Sequence, residues 1–248
     1  MKKVIALFLS MLIFSGVVAA QDLSVITAIW APYDMEENGK LVGIGTEIVQ
    51  ATLEKAGINA EIKIYPFARA LKMAENEPNT LLFTVVKSPE REPLFTWIGP
   101  IVPPVRIVMH KLKKRTDIVV NSLEDAKKYT IETTRASVGH QYLLKEGFKD
   151  GVELDPANSN QQSVKNFFGE RVDLEVSAEL NFMYEAKQQG FSVDDTEIAY
   201  VLFENEAYMV FSKQTPDDIV KKVKTAFEEV KAEGLMDAAV TKYLNLYQ

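Results

Sequence analysis

Arg91 lies in the stretch Thr84-Val-Val-Lys-Ser-Pro-Glu-Arg-Glu-Pro93, an apolar run that turns abruptly polar between two prolines. A guanidinium is a planar fork of N–H donors that matches a carboxylate bidentately. Thr84 and Ser88 add hydroxyls, while Pro89 and Pro93 stiffen the backbone that presents the arginine. Arg69 and Arg135 share the setting, each near a predicted strand end or the start of the next helix. Ligands of open α/β sheets bind outside those carboxyl ends. A lone arginine is more often a solvated charge or half of an ion pair; the neighbours set Arg91 apart. Ser137 opens a predicted helix whose first N–H groups favour an anion, with plain capping an equal reading. Trp30 and Tyr33 flank the Ala31-Pro32 turn and could form an apolar wall or belong to the core. Glu179 could meet a ligand ammonium, or sit solvated on a helix surface.

Other chemistry is excluded by what the chain lacks. It has no cysteine and two histidines, His110 and His140, neither with ligand-type neighbours at metal-binding spacing. No metal and no cofactor are expected. Gly43-Ile44-Gly45 lacks the third glycine of a dinucleotide fingerprint. No P-loop and no Gly-x-Ser-x-Gly elbow occur. The 28 basic residues stand against 35 acidic, for a net charge of −7 over 248 residues, and no basic stripe offers a nucleic-acid surface. Met1-Lys2-Lys3, the apolar run Val4 to Phe14 and the small residues to Ala20 form the pattern of a secretory signal cleaved after Ala20. Losing Lys2 and Lys3 leaves 26 basic residues and a net charge of −9. No membrane span follows, so a soluble mature protein is expected, held by packing alone.

The elements that must position these side chains alternate. Ser24–Trp30 reads as a strand, Asn38-Gly39 as a tight turn, and Thr46 as the cap of a helix stopped by Gly57. Glu61–Tyr65 is a strand, Pro66 starts a helix, and Thr80–Val86 is a strand again. After a strand at Val105–Met109 the pattern restarts. Helices open at Ser122 and Ser137, span Gln161–Phe168 and Ala178–Gln189, and alternate with strands at 129–133, 152–154, 172–176 and 198–202. A strand at 207–211 and two amphipathic helices close the chain. Alternation of this kind favours parallel sheets covered by helices, here in two units.

Several of these stretches together resemble the family 3 solute-binding proteins of ABC transporters, the polar amino-acid binders of the periplasm. They are Trp30-Ala-Pro-Tyr33 with Leu41-Val-Gly-Ile-Gly45, Tyr65-Pro-Phe-Ala-Arg-Ala-Leu71, Ser88-Pro-Glu-Arg-Glu92, Gly169-Glu-Arg-Val-Asp-Leu174, and 226–243. The resemblance covers nearly the whole mature chain and implies an α/β, two-lobed periplasmic-binding-protein fold (type II). Lobe 1 would comprise 21–108 plus 205–248 and lobe 2 109–204, joined by a two-stranded hinge near Val108 and Glu204. It further implies a ligand carboxylate on Arg91, helped by Thr84 and Val86, with the helix start at Arg135 to Ser137 facing it and Trp30 covering the side chain. The chain departs from the family pattern in three places: Ala178 stands where an ammonium-binding acid is usual, the first-lobe acid near Thr27 is missing, and Arg135 replaces a usual glycine. An amino acid and an anionic solute without an ammonium therefore both stay open as ligands.

The function so expected is a monomeric periplasmic protein that captures a small polar or anionic solute and delivers it to an ABC transporter membrane permease. The alternatives are an enzyme on the same scaffold, dehydratase-like, with Glu179 or Glu204 as acid or base, and a ligand-sensing partner of a membrane receptor.

Overall fold

The computed structural model describes residues 23–244; the signal-peptide expectation for residues 1–20 lies outside them. From the N-terminus the elements are β1 (Ser24–Thr27), β2 (Met35–Glu37), β3 (Lys40–Val42), α1 (Ile44–Lys55), β4 (Ile62–Ile64), α2 (Phe67–Asn76) and β5 (Thr80–Val86). The long β6 (Phe95–Leu112) follows, then α3 (Leu123–Ala126), β7 (Ile131–Thr134), α4 (Val138–Lys145), β8 (Leu154–Ala157) and α5 (Asn160–Phe168). The chain closes with β9 (Leu174–Ala178), α6 (Glu179–Gln188), the long β10 (Thr196–Ser212), α7 (Asp217–Ala232) and α8 (Leu235–Leu244).

Eight strands form one sheet in the order β4-β1-β5-β10-β6-β9-β7-β8, with β2 and β3 a separate hairpin. β1, β4 and β5 run parallel on one side, and β7, β8 and β9 run parallel on the other. Between the two parallel sets, β6 and β10 pair antiparallel from Phe95↔Ser212 to Leu112↔Thr196. β10 pairs with β5 through 207–211, whereas β6 pairs with β9 through 107–110. The sheet is thus handed from one lobe to the other between those two stretches, and among the described residues the two long strands are the only ones common to both.

Each lobe buries two faces. In the first, α1 lays Ile44, Ile48 and Val49 against Val25, Leu81 and Phe83, while α2 lays Ala70, Leu71 and Ala74 against Ile26, Leu82 and Val85. The alternation of Val25 with Ile26 and of Leu81 with Leu82 is the period-2 consequence of strand geometry. In the second, Val138 and Leu143 of α4 pack with Leu174 and Val176. On the opposite face α5 and α6 bring Val164, Phe167, Phe182 and Ala186 together.

Several local expectations hold. Ser122 and Ser137 cap their helices by accepting from the N–H of Asp125 and His140, and Asn38 (φ 51°) with Gly39 (φ 71°) makes the turn between β2 and β3. Three need correcting. Helix α1 begins at Ile44 behind Gly43, so Thr46 is not its cap; the Thr46 hydroxyl instead donates to Asp34 at 2.9 Å. The strands expected at 198–202 and 207–211 are one continuous strand, because the polar Glu204-Asn-Glu206 between them keeps pairing with β6 and with Lys87. The short strand expected at 152–154 runs at Leu154–Ala157.

Candidate functional site

All six parallel strands end on one cleft. Its lining comes from the residues following β1 (Ala28 to Ala31), from the ends of β4, β5, β7 and β9, and from the β8–α5 connection (Asn158 to Gln161); its volume is about 790 Å³. That is ample for a small polar ligand. The first N–H groups of α4 also open here, with no acceptor inside their own helix.

Arg91 is the central cation of this cleft. It is 2% exposed, its guanidinium 5.2 Å over the Phe67 ring. Its Nη1 donates to the Val86 carbonyl at 3.1 Å, Nη2 to the Ala136 carbonyl at 3.0 Å, and Nε to Gln141 Oε1 at 3.0 Å. A guanidinium has five N–H donors, so two remain. No carboxylate lies within ion-pair distance among the described residues, and burial lowers its pKa to about 10, with Glu90 opposing weakly. A buried guanidinium held only by neutral acceptors is a ready anion site.

The backbone around it is unusual. Thr84 at the end of β5 has φ 60° and Ala136, after β7, has φ 59°. A β-branched residue in the left-handed region is disfavoured and is kept only where surrounding contacts impose it. His140 braces the second loop: its Nδ1 accepts from the Ala136 N–H at 3.0 Å and its Nε2 meets Asp150 at 2.8 Å.

Of the residues singled out in the sequence, Trp30, Thr84, Val86, Arg91 and Ser137 line this cleft. Trp30 stacks at a tilt on Tyr33, ring centroids 4.6 Å apart. The Ser137 hydroxyl is 3.2 Å from that of Thr133. Arg69, Arg135 and Glu179 do not line it. Arg69 lies over the Tyr65 ring at 4.6 Å. Arg135 donates to the Pro156 carbonyl at 3.1 Å. Glu179 pairs with Arg106 at 2.7 Å, so its charge is spent outside the cleft. An arginine or carboxylate at a strand end has two sides to turn to, and these three turn away.

Four polar residues of the site carried no legible sequence signal. Gln141 receives Arg91. Asn181 on α6 donates across the cleft to the Ala31 carbonyl at 2.8 Å, so with the Arg91 bonds and the exposed Lys145–Glu90 pair the lobes already touch. Asp34 is 1% exposed and lines the cleft. Burial pushes its carboxyl up to about 7, the nearby hydroxyls of Thr84 and Thr46 opposing. Asp34 Oδ2 and Thr84 Oγ1 are both left without a hydrogen-bond partner. Glu185 on α6 is 8% exposed, also lines the cleft, and burial alone pushes its carboxyl up to about 7.

Two lobes on a crossing strand pair, closed over an arginine-floored cleft, define a binding protein of the periplasmic type. Residues 23–246 match the family of bacterial extracellular solute-binding proteins, family 3, and the chain belongs to it. Among its relatives, the probable amino-acid-binding protein YxeM of Bacillus subtilis (strain 168) is 22% identical over 215 residues, 86% of this chain and 80% of that protein. Among solved structures, a histidine kinase sensor domain similar to periplasmic binding proteins superimposes with a TM-score of 0.79 at 15% identity, covering 90% of this chain and 96% of that one. The arginine-, lysine-, histidine-binding protein ArtJ of Geobacillus stearothermophilus gives 0.77 at 16% identity, with 90% and 96% covered. These structural likenesses bear on the fold. The family is one of binding proteins rather than enzymes, and extracytoplasmic. No helix among the described residues is long and apolar enough to cross a membrane.

Proposed function

We propose that this protein captures a small carboxylate-bearing solute of amino-acid type between its lobes, in the periplasm, and delivers it to an ABC permease. The observation that carries the reading is Arg91: a guanidinium 2% exposed, in the cleft, with two N–H groups unused and no carboxylate within ion-pair distance among the described residues. A ligand carboxylate supplies the missing counter-charge and takes the free N–H groups of Arg91 and of the start of α4, with Trp30 against its apolar part. The name of the curated relative, an amino-acid-binding protein, supports the same class. Lobe 1 in this reading is 21–108 with 205–248 and lobe 2 is 109–204, after removal of a signal peptide ending at Ala20. The mature protein works as a monomer, and closure moves the lobes about β6 and β10 as the ligand adds contacts to both.

Thermal denaturation with a panel of amino acids and simple carboxylates tests this. A cognate solute at a hundredfold excess over its Kd stabilises the native state by about 2.7 kcal/mol. Arg91→Ala abolishes that shift. A ligand-induced shift that survives in Arg91→Ala removes the assignment, and a panel in which no carboxylate-bearing solute stabilises the protein removes the function.

A further inference from the structure

We infer that Glu185 holds a cationic group at the far end of the ligand, so that the solute carries an amine or guanidinium several bonds away from the carboxylate on Arg91. This rests on the reading of Arg91 just given and adds the second half of the site.

Three observations support it. Glu185 lines the cleft and is 8% exposed, yet its carboxylate has neither a hydrogen bond nor an ion pair among the described residues, in contrast to Glu179 six residues earlier, which is neutralised by Arg106. Its oxygens keep some contact with water, but a carboxylate on a side chain this enclosed normally finds a donor or a cation. Its elevated pKa, caused by burial alone, is what an absent partner leaves behind.

Position is the second observation. In the second lobe α4 packs on the sheet face of Leu174 and Val176, and α5 with α6 on the opposite face. Arg91 reaches the α4 side, through Ala136 and Gln141. Glu185 belongs to α6, on the other side of the strand ends. In the first lobe the same division holds: Arg91 lies over Phe67 of α2, whereas α6 meets the opposite wall through Asn181 and Ala31. The two charges therefore stand on opposite sides of the strand ends that line the cleft.

The third is charge balance. Arg91 is the sole basic residue in the lining among the described residues, against Asp34, Glu36 and Glu185. A ligand that brought only a carboxylate would neutralise the one cation and leave the acidic end unanswered. A ligand with a cation at its other end satisfies both, and its discrimination against an uncharged analogue follows from the buried carboxylate it would leave unpaired.

Isothermal titration calorimetry on the mature protein decides it, with L-arginine and L-lysine against their uncharged counterparts L-citrulline and L-norleucine, for wild type, Glu185→Gln and Glu179→Gln. The wild type is expected to bind at least one cationic probe tenfold or more tightly than its counterpart. Glu185→Gln, near-isosteric and expected to melt like the wild type without ligand, brings that ratio close to one by weakening the cationic probe; Glu179→Gln leaves it unchanged. Equal binding of charged and uncharged probes by the wild type overturns the inference, as does a preference that survives in Glu185→Gln or is lost in Glu179→Gln. If uncharged probes bind in an Arg91-dependent way and Glu185→Gln changes nothing, only this inference falls. If no probe binds the wild type, this inference falls, and the function proposed above stands or falls with the wider panel of carboxylate-bearing solutes.

Discussion

Glu175 offers a quantitative test of how dry the second lobe is beneath the cleft. Its side chain is fully buried, its oxygens accepting from the hydroxyls of Ser163 at 3.0 Å and Ser177 at 2.9 Å. Burial, aided by the nearby charge of Glu132, pushes its carboxyl up to about 8 despite those two hydroxyls. The ordinary value is 4.5, so the native state keeps a proton that the unfolded chain releases. Stability contributed in this way is present below the unfolded value and is lost as pH rises toward the native one. The loss amounts to about 1.4 kcal/mol per pH unit, or roughly 3 kcal/mol between about pH 5 and about pH 7.5. Glu175→Gln keeps the shape and removes the titration. Urea denaturation followed by circular dichroism should give a pH profile flatter than wild type by that slope, the variant gaining on wild type as pH rises. Parallel profiles would refute the reasoning, since they would mean that Glu175 ionises in the native protein as freely as in the unfolded chain.

Two further substitutions probe the geometry of the cleft. A Cβ at Gly45 would stand 2.3 Å from Thr84 Oγ1 and 3.0 Å from Asp34 Oδ1, so Gly45→Ala should cost ~1–3 kcal/mol in urea denaturation and weaken ligand binding along with it. Asn181→Ala removes the buried bond to the Ala31 carbonyl that joins the lobes; with a typical bond worth ~1 kcal/mol, urea denaturation of the unliganded protein should show a loss of about that size.

The strand–helix alternation was legible because Val25-Ile26 and Leu81-Leu82 are buried on both faces and read as apolar runs, and because Ser122 and Ser137 announce their helices by side-chain chemistry. β6 and β10 were not. Gly99-Pro100 and Pro103-Pro104 interrupt the apolar pattern of the first, and the polar Glu204-Asn-Glu206 splits the second into the two shorter strands expected at 198–202 and 207–211. Both long strands tolerate them where they cross between the lobes, with register shifts at 205/207 and 207/209. At the site, Arg91 stood out through its flanking prolines and hydroxyls. Asp34 and Glu185 could not, because a carboxylate's burial is decided by which elements close over it, and that is tertiary information absent from its own stretch of chain. The same gap explains Glu179, whose partner Arg106 lies 73 positions away.

The order of the sheet has a consequence for how the chain is made. Strands β7, β8 and β9 with the adjoining ends of β6 and β10 lie within residues 106–204, so the sheet of lobe 2 draws on one unbroken stretch. Lobe 1 begins with β1, but its β5 edge is filled only by β10, and its helices α7 and α8 come later still. During synthesis from the N-terminus, the first strands of lobe 1 therefore wait, with an open sheet edge at β5, until the entire second lobe has emerged. The lobe that is started first is the last to be finished, and unpaired edges of this kind are the ones that invite association with other chains.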